Sequence, residues 1–190
     1  MSAHMVHVDA DAKEAGHAPA DGLPHTTFSL AVDRLIKRVG EAASWLWLVL
    51  VMVINVQVLM RYVLGRGSIM LEELQWHIYG VGFLLGLSFC IQADRHVRID
   101  VLAERFTPRS RAIIEIIGIV IFLLPFAIAV TLEGAMLAKQ AWNLNEVSAA
   151  PDGLPYRWVI KSFIAIGFGF VGLAALSRLS RNAALVFRRH

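Results

Sequence analysis

Charge is scarce where this chain is most apolar. Asp, Glu, Lys and Arg make up 17% of the residues and hydrophobic residues 57%, a balance far from that of a soluble domain, where roughly a quarter of residues are charged. Cysteine is scarcer still. Cys90 stands alone, so the chain can close no internal disulfide and offers no thiol pair for a redox centre or an iron–sulfur cluster. Histidine is thin where a membrane haem needs it: His4, His7, His17 and His25 fall near the N-terminus, and His77 is the single histidine inside an apolar stretch. A four-helix cytochrome with two axially ligated haems requires several, and the spacing of the four N-terminal histidines fits no closed metal site.

What is abundant is long apolar sequence, in stretches at 42–60, 74–93, 113–132 and 158–177. At about 1.5 Å of rise per residue each reaches about 28 to 30 Å, close to the roughly 30 Å hydrocarbon core of a bilayer. The chain reads as an all-α membrane protein with four transmembrane helices. Orientation follows from the basic residues beside the spans. Arg34, Lys37, Arg38, Arg95, Arg98, Arg105, Arg109, Arg111, Arg178, Arg181, Arg188 and Arg189 lie on one side, against Arg61, Arg66, Lys139 and Arg157 on the other. Both termini are therefore expected in the cytoplasm. The net charge of +3 is then a topology signal and a surface for anionic lipid headgroups, and calls for no nucleic acid.

The first apolar stretch begins some forty residues in and ends in Met60-Arg61-Tyr62 without a small-residue cleavage site, so it reads as a retained span. Residues 1–27, rich in Ala, Asp, His, Gly and Pro, read as a disordered cytoplasmic tail. Residues 28–181 form the membrane domain and 182–190 a basic cytoplasmic tail. Phe28, Val32, Leu35, Ile36 and Val39 recur at helical spacing with charges between them, which predicts an interfacial amphipathic helix over 28–40 or a plain extension of the first span. DRHVRIDVLAERF at 94–106 predicts a second interfacial helix, with Asp100 as a cap. Thr107-Pro108 places a cap before a first-turn proline, and Pro125 predicts a kink in the third span.

Polar groups in or beside the spans are the candidates for chemistry. Asn55 and Gln57 suit hydrogen bonds to a neighbouring helix. Glu115, four residues after Arg111, is read as that arginine's partner. Glu133 and Lys161, at the outer ends of the third and fourth spans, are read as an interhelical ion pair. Gly82 with Gly86, and Ala165 with Gly169, are spaced by four and form small-residue packing faces. No ionisable group occupies the centre of a span, no inverted repeat is visible and no broken-helix site is evident, so the chain alone lacks a transporter's moving site. The same shortage weakens the alternative of a homodimeric proton-coupled exporter, which needs a deep acidic residue.

Taken in order, the acidic pair Glu72-Glu73 before the second span, the run HVRIDVL at 96–102 with His96 and Asp100, and Pro151-x-Gly153-Leu154-Pro155 before the fourth span resemble the small permease subunit, DctQ type, of tripartite ATP-independent periplasmic (TRAP) transporters. The resemblance covers about residues 30 to 180; Asp152 departs from it, standing where related sequences often carry glycine. It implies a bacterial inner-membrane scaffold without catalytic residues or cofactors. It also implies two partners: a large multi-span permease that holds the substrate and sodium sites, and a periplasmic solute-binding protein that captures an organic anion, usually a carboxylate.

Overall fold

The computed structural model describes residues 26–92 and 107–187. Its elements are α1 (Thr27–Val63), α2 (Ile69–Gln92), α3 (Pro108–Gly118), a π-helical turn (Ile119–Leu123), α4 (Leu124–Asn143) and α5 (Trp158–Phe187). The π turn joins α3 and α4 into one rod, giving four helices long and apolar enough to cross a membrane. Among the described residues there is no strand, as expected where lipid offers backbone groups no partner and each segment must satisfy its own.

The helix starts follow local chemistry. Thr26 caps α1: its hydroxyl accepts from the Ser29 N–H at 3.1 Å while its own N–H donates to the Ser29 hydroxyl at 3.0 Å. Residues 28–40 are the unbroken first turns of α1, and of their apolar side Val32 and Ile36 are buried while Phe28 and Leu35 stay exposed. Val32 and Ile36 join Ile91, Ala127, Val171 and Ala174 in the core. Thr107 caps α3 through the Ser110 N–H at 3.3 Å, with proline at the first helical position. Pro125 has no N–H for the carbonyl four residues back and its ring crowds it. Directly before it the helix widens, and the Leu124 N–H bonds to the carbonyl of Ile119; the distortion found beside Pro125 is this π turn. The fourth span continues as helix to Phe187, so α5 runs on through residues 182–187 of the expected basic tail. Of the expected tail over 1–27, residues 1–25 lie outside the described residues, as does the expected helix over 94–106, while Thr26 and Thr27 cap and open α1.

The four rods do not close into a symmetric bundle. α5 packs against α1, α2, α3 and α4, α1 pairs with α2, and the third rod leans on α5. α4 buries one narrow stripe, Ala127, Gly134 and Ala141. A methyl added at Gly134 would lie 3.0 Å from the Ala165 backbone nitrogen and 3.0 Å from Ile164 Cγ2, so a residue without a side chain sets the approach of α4 to α5. The antiparallel register is regular: Trp142 meets Trp158 edge to face at 4.7 Å, Gly134 faces Ala165, and Gly172 faces Ala127. Most large apolar side chains of α1 and α4 point outward, which suits lipid or another membrane helix.

The small-residue faces are used by halves. A methyl added at Gly82 would lie 3.6 Å from the Trp47 ring and Ala165 receives Gly134, whereas a methyl at Gly86 or Gly169 would meet open space. Gly86 opens instead on a lipid-side groove between α1 and α2, floored by Gly40, Ala43 and Trp47.

Candidate functional sites at the two ends of the bundle

One end of the bundle carries the N-terminus of α1 and the C-terminus of α5, and here charges are buried. Arg178 is 9% exposed and Arg181 5%, although as sequence both read as surface topology charges. Arg178 donates from Nε to the Glu115 carboxylate and from a terminal nitrogen to the Ile91 carbonyl at 3.1 Å. Asp33 accepts from the Ser177 hydroxyl at 2.7 Å and lies 3.8 Å from Arg181, while Gln92 donates to the Asp33 carbonyl at 3.2 Å. Glu115 thus pairs across helices with Arg178 and not with Arg111, one turn away and exposed. The face of α5 that carries Val171, Ala174 and Ala175 continues through Arg178 into the interior, and that brings Glu115 and the arginine together. α1, α2, α3 and α5 are fastened at this one cluster. Such pairing satisfies buried charge; it leaves the arginines no freedom to meet headgroups.

At the opposite end, residues 144–157 connect α4 to α5 and are held by one carboxylate. Glu73, in the second turn of α2, accepts the Ser148 hydroxyl on one oxygen and the Leu154 N–H on the other at 2.7 Å. The segment is cross-tied within itself: Ser148 N–H to Leu154 carbonyl at 3.2 Å, Gly153 N–H to Ala150 carbonyl at 3.1 Å, and Arg157 N–H to Glu146 carbonyl at 3.2 Å. Gly153 sits so close to Ser148 that an added methyl would fall 2.4 Å from the serine Cβ. Asp152 holds φ 57°, a left-handed conformation that glycine adopts freely and Asp better than most residues, which accounts for its tolerance there. Pro151 and Pro155 are exposed on the loop's outer surface.

The expected set is therefore only partly gathered. Glu73, Gly153, Pro151 and Pro155 share this end, Glu72 points outward, and His96 and Asp100 lie outside the described residues. Ser148 and the Leu154 amide escaped the sequence reading because they meet Glu73 across 75 and 81 positions, a separation that leaves no local pattern. Replacing Glu73 with Gln is expected to loosen the loop selectively. Hydrogen exchange at the Leu154 amide should quicken while α2 and α5 keep their protection; unchanged exchange there would argue against the clasp.

The expected Glu133–Lys161 ion pair is corrected. Lys161 donates to Glu146 at 2.5 Å, within the same loop end. The register explains why: Gly134 is level with Ala165, so Glu133 lies more than a turn below Lys161, and it is exposed. Gln57 does bond across helices, accepting from Gln75, whereas Asn55 turns back to the Val51 carbonyl at 2.7 Å. The His77 ring donates from Nδ1 to the Glu73 carbonyl at 2.6 Å. Among the described residues no three of His, Cys, Asp and Glu converge.

Both ends thus carry fastenings, made of paired charges and a clasped loop. Comparison with curated proteins and with solved structures returned no match. A family model described as tripartite ATP-independent periplasmic transporters, DctQ component, matches residues 50–185. Four membrane-crossing helices together with that match, which takes in the Glu73 clasp and the Glu115–Arg178 pair, place the chain in the DctQ family as a small permease component of a TRAP transporter.

Proposed function

We propose that this chain is the scaffold subunit of a bacterial inner-membrane uptake system for an organic anion, a carboxylate by class, driven by a sodium gradient. Both termini lie in the cytoplasm in this reading, so the Glu73-clasped loop faces the periplasm, where a solute-binding protein docks. The large permease carries the substrate and the sodium ions, and this chain binds no cofactor of its own. The observation that carries the reading is the use of its charges: Arg178, Arg181, Asp33, Glu115, Lys161 and Glu73 are engaged in tying helices and a loop together. A moving binding site needs groups free to change partners. Strains lacking either this chain or the large permease should lose sodium-dependent uptake of the organic acid, with uptake restored by the missing gene; wild-type uptake without this chain would refute the scaffold role.

One observation favours the exporter alternative. Glu133 lies deeper in its helix than the sequence suggested, and a proton-coupled exporter needs an acidic residue at such a depth. That alternative requires the chain to transport by itself.

A further inference from the structure

Glu133 is a carboxylate in the wrong place for a chain that ends its interactions at its own surface. It is exposed on α4, one residue past the apolar stretch 113–132, in a rod long and apolar enough to cross a membrane. The Trp142–Trp158 pair marks the aromatic belt at the loop end, and Glu133 lies nine positions below it, about 13 Å at 1.5 Å per residue. No glutamate side chain reaches that far. In a helix the Cβ bonds tilt toward the N-terminus, which on α4 directs Glu133 away from the nearer membrane surface and further into the hydrocarbon. Among the described residues no cation pairs with it: Lys161 is held by Glu146, and Lys139, six residues on, lies about 240° around the helix and about 9 Å higher. Arg178 and Arg181 belong to the buried cluster at the other end.

The surroundings of Glu133 form a face ready to be covered. Phe126, Ala129, Glu133, Met136 and Gln140 follow one another along α4, each exposed, and α4 spends only Ala127, Gly134 and Ala141 on burial. An acidic group facing lipid is costly, and membrane carboxylates are paired. We propose that this stripe of α4 is the seat of a transmembrane helix of the large permease, and that the helix presents a Lys or Arg side chain to Glu133 in the leaflet nearer the loop end. The inference rests on the scaffold reading above and adds to it the face, the anchoring residue and the charge of its counterpart. Ala129 permits close approach of the two backbones, and Phe126, Met136 and Gln140 supply contact above and below the ion pair.

The test uses the full tagged chain, extracted from its native membranes in mild detergent. Wild type should retain a larger multi-span polypeptide. Glu133→Leu and Glu133→Gln should each retain at most a tenth as much, while the thermal midpoint of each variant chain itself stays at the wild-type value. A photo-crosslinking residue at Met136 should attach to that polypeptide, and one at Val56 on α1 should not. Wild-type retention by both variants would overturn the proposal and leave the scaffold reading standing, as would crosslinks joining two copies of this chain or a fall in the variants' own midpoints. A wild-type chain that retains no larger polypeptide would remove the scaffold reading and this proposal together.

Discussion

Replacing Arg178 with methionine is expected to destabilise the protein by about 3–5 kcal/mol, the usual consequence of removing one partner of a buried ion pair. The guanidinium joins α5 to α3 through Glu115 and to α2 through the Ile91 carbonyl at 3.1 Å, so its loss cuts two tertiary links at once. Side-chain exposures of 10% for Arg178 and 21% for Glu115 put the pair outside the range where water screens most of the interaction. Unfolding in detergent by a graded denaturant measures the change. The double variant Arg178→Met with Glu115→Gln should recover part of the loss, because the carboxylate then no longer seeks a counter-charge. A double variant whose loss is the sum of the two single losses would contradict the pairing.

Gly134→Leu carries the second large effect. A methyl there already reaches 3.0 Å from the Ala165 backbone nitrogen, and backbone cannot rotate aside. Leucine must push α4 off α5, and overpacking of a tight contact costs about 1–3 kcal/mol. The upper part of that range is expected, because Gly134 is the middle of the stripe by which α4 is buried. The same substitution at Gly169, which has open space around it, should be nearly neutral and serves as the control. Equal losses at the two positions would contradict close approach as the cause, since helix propensity alone favours leucine over glycine at both.

Local features of this fold were readable in the sequence, and long-range ones were not. The four apolar stretches find the four helices because span length and backbone satisfaction are properties of each segment alone. Thr107-Pro108 likewise declares a helix start by chemistry confined to one turn. Pro125 announces a distortion, though not that the backbone would widen into a π turn ahead of it. Partner choice was beyond reach. Glu115 has Arg111 one turn away and nevertheless joins Arg178, 63 positions on, since rod-to-rod register is set by small contact residues such as Gly134 that apolar periodicity does not reveal. The same register separates Glu133 from Lys161. Counting basic residues treats Arg178 and Arg181 as equal to Arg188 and Arg189, yet the first two face inward because they continue the buried face of α5. The acidic pair Glu72-Glu73 was visible as a motif, and only its placement beside Leu154 and Ser148 shows which of the two works.

Fastened helices and a clasped loop describe a part that stands still while another moves, and that claim has a direct measurement. Proteoliposomes are prepared with this chain alone, with the large permease alone, and with both, each supplied with the solute-binding protein and an inward sodium gradient. Solute uptake is expected only where both membrane components are present, with the chain alone indistinguishable from empty vesicles. Uptake or proton-coupled export by the chain alone would contradict the account.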